Sequence, residues 1–226
     1  MRIQGVVFDL DGTLLNSLRD IADAANSVLR AHGFPEHPVD SYRHFIGEGV
    51  AQLCRFLLPP EHCNESTISR YGEQFRAQYE QHWDVHTAAY QGVDELLDGL
   101  ASRSIRMAVL SNKPHSFTLK CVDRYLARHS LNPVYGQREG KPRKPDPAGA
   151  LEIAETLGIA PDRILFLGDS RIDMETATRA GMHAIGALWG FREADELKRA
   201  GAKVLIERPG QLLDLLESFE PAAQEA

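Results

Sequence analysis

The stretch Phe8-Asp9-Leu10-Asp11-Gly12-Thr13 begins with the last residue of an apolar run, Ile3 to Phe8, near the start of the chain. The run is short and β-branched, which is typical of a strand buried on both faces. Residues two apart in an extended chain point the same way, so Asp9 and Asp11 can converge on one site just past the strand. Gly12 permits a tight turn there. The alternative is an Asp-Gly turn that simply ends a strand.

Apolar runs of the same kind recur along the chain and alternate with stretches of helical periodicity. The clear runs are Ile105 to Leu110, Ile164 to Leu167, His183 to Leu188 and Val204 to Ile206, and a weaker one is Pro133 to Tyr135. Helical periodicity is found in Val93 to Leu100, Ala148 to Leu157 and Leu212 to Leu216. This alternation predicts an α/β fold, with a Rossmann-like parallel sheet flanked by helices.

One interval interrupts the alternation. The first two clear strands are separated by about a hundred residues, far more than a crossover helix requires. Within this interval, helical patterns cover Leu18 to Ala31, Ser41 to Leu58 and Thr67 to Trp83. The chain is therefore predicted to consist of an α/β core, residues 1–15 and 86–226, with residues 16–85 inserted as an all-helical cap domain.

The composition narrows the class of protein. With 226 residues, 43% hydrophobic and 25% charged, the chain is expected to be globular. A net charge of -7 argues against a nucleic-acid partner, which requires a basic surface. Neither a signal peptide nor a membrane span is expected, and three cysteines without a CxxC pair indicate a reducing compartment. We expect a cytoplasmic monomer or homodimer, with no membrane partner.

A second pair of carboxylates follows the third clear strand. Asp169 comes directly after Phe166-Leu167-Gly168, and Asp173 lies four residues later. Helix capping by Asp169 or Ser170 is the alternative explanation. In parallel sheets, however, ligands bind beyond the carboxyl ends of strands, where these carboxylates would meet Asp9 and Asp11. Crowded carboxylates need a compensating cation, and hard oxygen ligands favour Mg²⁺.

Polar residues follow the second strand, and a lysine precedes a proline-rich helix start. Ser111 and Asn112 could bind phosphoryl oxygens, although Ser-Asn is also common where helices begin. Lys144, in Arg143-Lys144-Pro145-Asp146-Pro147, could be held over the site. An exposed surface lysine is the usual alternative. Lys141 could compete for the same role, but the Lys-Pro-Asp-Pro context favours Lys144.

Taken together, these motifs are similar to the four ordered motifs of the haloacid dehalogenase-like phosphatase superfamily. They are Asp9 to Thr13, Ser111, Lys144 and Gly168-Asp169 with Asp173. Finer similarity indicates the phosphoglycolate phosphatase-like branch. It rests on Ala31 to Pro35, Phe45 to Val50, Tyr90 to Leu97, Ser111 to Pro114 and Ala187 to Gly190. Gln91 departs from this pattern, since the family usually has proline there.

The resemblance implies a magnesium-dependent phosphatase acting on small phosphate monoesters such as 2-phosphoglycolate. Asp9 would be the nucleophile that forms an aspartyl-phosphate, and Asp11 would be the general acid and base. The implied metal site comprises Asp9, the backbone carbonyl of Asp11, Asp169 and Asp173. Asp173 is expected to orient a metal-bound water or Lys144 rather than to bind directly.

The resemblance also implies which residues meet the substrate. Thr13, Ser111 and Asn112 would hold the phosphoryl group, whose charge Lys144 would offset. In the cap, Gly47 lies in a loop, Ile46-Gly47-Glu48-Gly49, that would meet the substrate. Arg43 could pair with a substrate carboxylate, or it could be a surface arginine on an amphipathic helix.

Two other functions are compatible with parts of this pattern. A sugar phosphomutase resembling β-phosphoglucomutase shares all four motifs and the insertion. A non-catalytic regulatory protein could keep the fold, but it would not need all of the site residues. Dehalogenase chemistry is disfavoured because Asp11 supplies a carboxylate that dehalogenases lack. Phosphonatase chemistry needs a cap lysine, and no lysine precedes Lys113.

Overall fold

The computed structural model describes residues 2–219, which form two compact units. The first unit comprises the described residues up to Leu14 and from Ala89 onward, and the second is Leu15–Ala88. The chain passes from one unit to the other through two short strands that pair with each other, β2 (Leu15–Asn16) and β3 (Ala88–Ala89). None of the described helices is long and apolar enough to cross a membrane.

The first unit is built on a six-stranded sheet. Its strands are β1 (Gly5–Phe8), β4 (Arg106–Pro114), β5 (Leu131–Gln137), β6 (Ile164–Gly168), β7 (His183–Ala187) and β8 (Val204–Ile206). They are ordered β5-β4-β1-β6-β7-β8, and every neighbouring pair is parallel. The predicted α/β class with a parallel sheet is confirmed.

Helices connect these strands and cover the sheet. They are α5 (Val93–Ser102), α6 (His115–Leu126), α7 (Ala148–Leu157), α8 (Arg171–Ala180), α9 (Ala194–Arg199) and α10 (Gln211–Glu217). The central strands are buried on both faces: Val6, Val7 and Phe8 are fully buried, as are Ile164 to Leu167. Continuous apolar runs of this kind are what a sheet covered on both faces requires.

The order of the strands determines where a site can form. The first strand, β1, lies between β4 and β6, so its two neighbours come from different crossover connections. Phe8 is in register with Val109 of β4 and with Leu167 of β6. Residues that follow these strands therefore emerge side by side at one edge of the sheet, which is the usual ligand-binding edge of such folds.

The second unit is helical apart from its short strands at the chain crossings. Its α-helices are α1 (Leu18–Ala31), α2 (Tyr42–Phe45), α3 (Val50–Leu57) and α4 (Glu65–His82). The helical pattern from Ser41 to Leu58 is interrupted between α2 and α3. Gly47 and Gly49 have φ angles of 123° and 86° there, a conformation that glycine adopts easily and that ends a helix.

Two strands of the first unit are longer than the sequence predicts. The predicted strand Ile105 to Leu110 continues as β4 to Pro114, and β5 extends the predicted Pro133 to Tyr135 at both ends. The register between β4 and β5 shifts twice along this pairing. These irregularities obscure the simple periodicity on which the prediction rests. Ser111, Asn112 and Lys113 therefore lie on β4 itself.

Candidate active site

Asp9 lies immediately after the central strand and is fixed by its backbone. Its N–H donates to the carbonyl of Leu167 over 2.9 Å, which continues the pairing of β1 with β6 by one residue. Its side-chain oxygen Oδ1 accepts from the N–H of Leu10 at 2.7 Å. The residue is only 8% exposed. This carboxylate is thus held at the edge of the sheet, with little freedom to turn away.

The chain turns sharply after Asp11. Gly12 has a φ of 90°, which side-chain-bearing residues rarely adopt. The N–H groups of Thr13 and Leu14 both donate to the carbonyl of Leu10, which closes the turn. The Thr13 hydroxyl donates to Oδ1 of Asp169 at 3.2 Å. Thr13, predicted to hold substrate, is therefore engaged with another carboxylate of the site.

Asp169 follows β6 and lies between two glycines. An ideal Cβ on Gly12 would lie 2.3 Å from Oδ2 of Asp169, and one on Gly190 would lie 2.2 Å from Cβ of Asp169. Both approaches are shorter than real Cβ contacts allow, so only glycine fits at each position. The N–H of Phe191 also donates to Oδ2 over 2.7 Å. The two glycines and this hydrogen bond fix the orientation of the Asp169 carboxylate.

Asp173 and Lys144 form a fully buried ion pair. The Nζ atom of Lys144 lies 2.6 Å from Oδ1 of Asp173 and 2.8 Å from Oδ1 of Asp9. The other oxygen of Asp173, Oδ2, accepts from the N–H and the hydroxyl of Ser170, at 3.1 and 2.6 Å. Lys144 is not the exposed surface lysine of the alternative reading, since its side chain is 2% exposed.

Asn112 holds the backbone of Lys144. Its Oδ1 accepts from the Lys144 N–H and its Nδ2 donates to the Lys144 carbonyl, both at 2.9 Å. An amide group that satisfies both backbone groups of one residue fixes the chain at that point. The structure therefore engages the Asn112 side chain in placing Lys144, whereas the sequence analysis predicted that it holds substrate.

The electrostatics of the site reflect crowded carboxylates. Burial, and then the charge of Asp173, raise the pKa of Asp9 to about 7, although Lys144 opposes the shift. Burial and the neighbouring carboxylates of Asp173 and Asp9 raise the pKa of Asp169 well above its usual value. Burial alone would lower the pKa of Lys144, but Asp173 and Asp9 raise it overall. One ammonium group does not offset three carboxylates.

These three carboxylates fit a metal ion. Oxygens of Asp9, Asp169 and Asp173 all lie within 4.8 Å of one another, and all three residues are buried. A divalent cation among them would relieve the repulsion that, together with burial, raises the pKa values of Asp9 and Asp169. Hard carboxylate oxygens at a strand edge suit Mg²⁺. The residues present therefore fit the magnesium site that the motifs predict.

A second lysine, which the sequence analysis did not single out as a site residue, lies beside Asp11. The Nζ atom of Lys113 is 3.0 Å from Oδ1 and 3.2 Å from Oδ2 of Asp11. Ser111, predicted to hold substrate, accepts the backbone N–H of Lys113 on its hydroxyl oxygen at 3.2 Å. Asp11 and Ser111 thus lie next to Lys113, at the end of β4.

The two predicted cap residues lie in the second unit. The Nε atom of Arg43 is 2.7 Å from Oδ1 of Asp40, three residues earlier. Gly47 has a φ of 123°, and a Cβ built on it would meet nothing within 4 Å. Contact of either residue with substrate stays a prediction.

Comparison with known proteins places the chain in a family. Residues 6–187 match the model of the haloacid dehalogenase-like hydrolases. A phosphoglycolate phosphatase of Aquifex aeolicus is 32% identical over 213 residues, 94% of this chain and 96% of that protein. One from Pseudomonas putida is 30% identical, over 96% of this chain and 78% of its own length.

A solved structure agrees with these relatives. It is described as a predicted phosphoglycolate phosphatase from Haemophilus somnus and has a TM-score of 0.87, with 25% identity. The similarity covers 95% of this chain and 98% of that one. The predicted resemblance to the phosphoglycolate phosphatase-like branch is confirmed. The chain belongs to the haloacid dehalogenase-like hydrolase family.

Proposed function

We propose that this protein is a magnesium-dependent phosphatase that hydrolyses small phosphate monoesters, with 2-phosphoglycolate as the leading candidate. One observation carries the proposal: Asp9 lies at the end of the central strand, with the Lys144 ammonium 2.8 Å away and two further buried carboxylates around it. The substrate class follows from relatives that are named phosphoglycolate phosphatases and align with nearly the whole chain. We further propose that it acts in the cytoplasm, as a monomer or homodimer.

Asp9 is the nucleophile of the proposed reaction. A carboxylate oxygen forms a bond to phosphorus while the bond from phosphorus to the leaving oxygen breaks, which leaves an aspartyl-phosphate. Asp11 donates a proton to the leaving oxygen. Water then attacks the same phosphorus, Asp11 takes its proton, and the bond between Asp9 and phosphorus breaks.

Charge is the main obstacle to this attack. Two unit charges 4 Å apart repel by about 4 kcal/mol at an effective dielectric of 20, which is worth about three decades in rate. Lys144, buried beside Asp9, offsets part of the charge of the phosphoryl group. Magnesium held by Asp9, Asp169 and the carbonyl of Asp11, with Asp173 orienting Lys144, would supply the remaining charge and polarise the phosphoryl oxygens.

The remaining site residues have supporting roles in the proposal. Ser111, near the end of β4, and Thr13, in the turn that follows β1, are proposed to approach phosphoryl oxygens. Asn112 keeps Lys144 in place through both backbone groups of that residue. We propose that the helical second unit serves as the cap that excludes water and selects the leaving group, through Gly47 and Arg43.

The test is release of inorganic phosphate from a panel of small phosphate esters. We expect release from 2-phosphoglycolate in the presence of Mg²⁺, and loss of that release when EDTA removes the metal. Glucose 1-phosphate distinguishes the mutase: isomerisation without net phosphate release would favour that alternative. If Mg²⁺ supports neither release nor isomerisation with any ester, the non-catalytic reading replaces the proposal.

A further inference from the structure

Lys113 faces the proposed acid–base residue. Its ammonium group lies almost equally far from the two oxygens of Asp11, at 3.0 and 3.2 Å. Both side chains are largely buried: that of Lys113 is 4% exposed and that of Asp11 11%. A buried ammonium group destabilises a fold unless it is paired with an acceptor. The ion pair with Asp11 therefore offsets the cost of burying Lys113.

The backbone of Lys113 is fixed on both sides. Its N–H donates to the hydroxyl oxygen of Ser111 at 3.2 Å, and its carbonyl accepts from the Thr118 hydroxyl at 3.2 Å. Gly136 of β5 packs closely against it: an ideal Cβ there would lie 2.7 Å from the Lys113 carbonyl oxygen. The ammonium group therefore extends from an anchored point on β4.

The two buried lysines of the site contact different carboxylates. Lys144 lies against Asp9 and Asp173. Lys113 lies against Asp11, which immediately precedes the sharp turn at Gly12. Short aspartate side chains rotate easily, and a proton donor is effective only when it is within hydrogen-bond reach of the leaving oxygen.

We propose that Lys113 is a positioning residue that orients the Asp11 carboxyl group for proton transfer. This inference rests on the proposed phosphatase function. In the first step, Asp9 forms its bond to phosphorus while the leaving oxygen departs and takes the proton from Asp11. In the second step, Asp11 takes a proton from the attacking water, and the phosphate leaves Asp9. Lys113 keeps its own proton throughout.

The need for the Asp11 proton in the first step depends on the leaving group. An alkoxide is a poor leaving group and needs the proton of Asp11, whereas 4-nitrophenolate departs as a stable anion without one. The ratio kcat/KM reports the steps up to departure of the first product. Loss of Lys113 should therefore reduce kcat/KM for alkyl phosphates far more than for 4-nitrophenyl phosphate.

The experiment compares Lys113→Met with wild type on 2-phosphoglycolate and on 4-nitrophenyl phosphate, with saturating Mg²⁺. We expect kcat/KM to fall by about 100-fold for the alkyl ester, and by less than about 3-fold for the aryl ester. Because water activation also uses Asp11, the variant should release a burst of 4-nitrophenol before slow turnover. Lys113→Arg, which keeps a cation, should recover part of the lost alkyl activity.

Lys203→Met is the matched control, since it makes the same change at an exposed lysine of the first unit. Its kcat/KM values for the alkyl and the aryl ester should both equal those of wild type. An equal fall of kcat/KM on both esters, or no fall on either, would overturn the inference. If Lys113→Met does not fold, Lys113→Arg is expected to show the same selective fall of kcat/KM for the alkyl ester, but a smaller one. Absence of that fall in Lys113→Arg would then overturn the inference. Failure of wild type to hydrolyse either ester would instead overturn the proposed function.

Discussion

Each unit of the molecule buries carboxylates, but it surrounds them differently. In the second unit, Asp20 is 2% exposed and accepts from backbone N–H groups of His86 and Thr87 at 2.9 to 3.0 Å. It also accepts from the Thr87 hydroxyl at 2.8 Å. In the first unit, oxygens of Asp9, Asp169 and Asp173 lie within 4.8 Å of one another, and the ammonium group of Lys144 contacts two of these residues, Asp9 and Asp173.

The difference separates a structural carboxylate from a reactive one. Asp20 lies in the first turn of α1, where the helix dipole also favours a negative charge, and neutral donors satisfy both of its oxygens. Burial and like charge instead raise the pKa of Asp9 to about 7. A fold tolerates such repulsion at a site that a cation or a substrate completes. Removal of the Asp9 carboxylate should therefore abolish activity without loss of stability, whereas removal of the Asp20 carboxylate should lower stability.

The largest effect is expected for Asp9→Asn. This variant loses the nucleophile, so phosphate release should fall by at least about 1,000-fold. Because the net environment of Asp9 disfavours its charge, the metal-free variant should unfold at no lower urea concentration than wild type at pH 8. Phosphate release and urea unfolding, measured on the same preparation, check both parts. Substantial residual turnover would refute the nucleophile assignment, and a clear loss of stability would contradict the comparison.

The next effect is one of stability. Asp20→Ala leaves two backbone N–H groups and a hydroxyl without their acceptor, so we expect about 3 kcal/mol less stability in the second unit. Hydrogen exchange of amides in residues 15–88 can measure this loss locally. Asp23→Ala on the same helix is the control, because its ion pair with Arg19 is exposed to solvent, which screens it, and so contributes little to stability. Similar losses in the two variants would show that burial of Asp20 is irrelevant.

The two carboxylate environments differ also in how far the sequence predicts them. That Asp9 and Asp169 lie close together follows from the motifs, because both residues end parallel strands. Placement of Lys144 beside them follows from the family resemblance. In contrast, Asp20 finds its partners 66 residues further along, at His86. The periodicity of a sequence does not show which residues meet after a long insertion, so the contact between Asp20 and His86 could not be predicted.

Lys113 was missed for a related reason. The predicted strand ends at Leu110, whereas β4 continues through two register shifts to Pro114. The direction of the Lys113 side chain depends on this extension of β4 beyond Leu110, which the sequence did not predict. Likewise, the sequence shows Asn112 to be polar and near the site, but its contact with the Lys144 backbone depends on a loop conformation 32 residues away. Strand ends were predictable here, and loop contacts were not.

A smaller effect should come from the glycines that enclose Asp169. Gly190→Ala places a Cβ 2.2 Å from Cβ of Asp169 and 2.5 Å from the Gly12 carbonyl oxygen, so the carboxylate has to move. Displacing a metal ligand in this way should weaken Mg²⁺ binding by about 10- to 100-fold. Titration of Mg²⁺ by calorimetry measures the change. Gly210→Ala is the control, since its added Cβ meets nothing closer than 3.9 Å, and unchanged Mg²⁺ affinity of Gly190→Ala would argue against Asp169 as a ligand.

The smallest effect extends the comparison to a half-exposed carboxylate, that of Asp94. The contact with His129, 2.7 Å away, is the main cause that lowers the pKa of Asp94 below 3.8, with Arg128 adding to it against partial burial. A lowered pKa contributes stability that is present above pH 3.8 and is lost as the pH falls through the folded-state value.

Asp94→Asn should therefore cost less than about 1 kcal/mol at pH 6, where solvent screens the pair, and less at pH 3 than at pH 6. Urea unfolding at both pH values measures the cost, with Asp214→Asn, an exposed change on α10, as the control. A cost as large as that of Asp20→Ala would mean that partner geometry, and not burial, decides what a carboxylate contributes. The expected small cost would assign the difference between Asp20 and Asp94 to solvent, since both carboxylates have close donors.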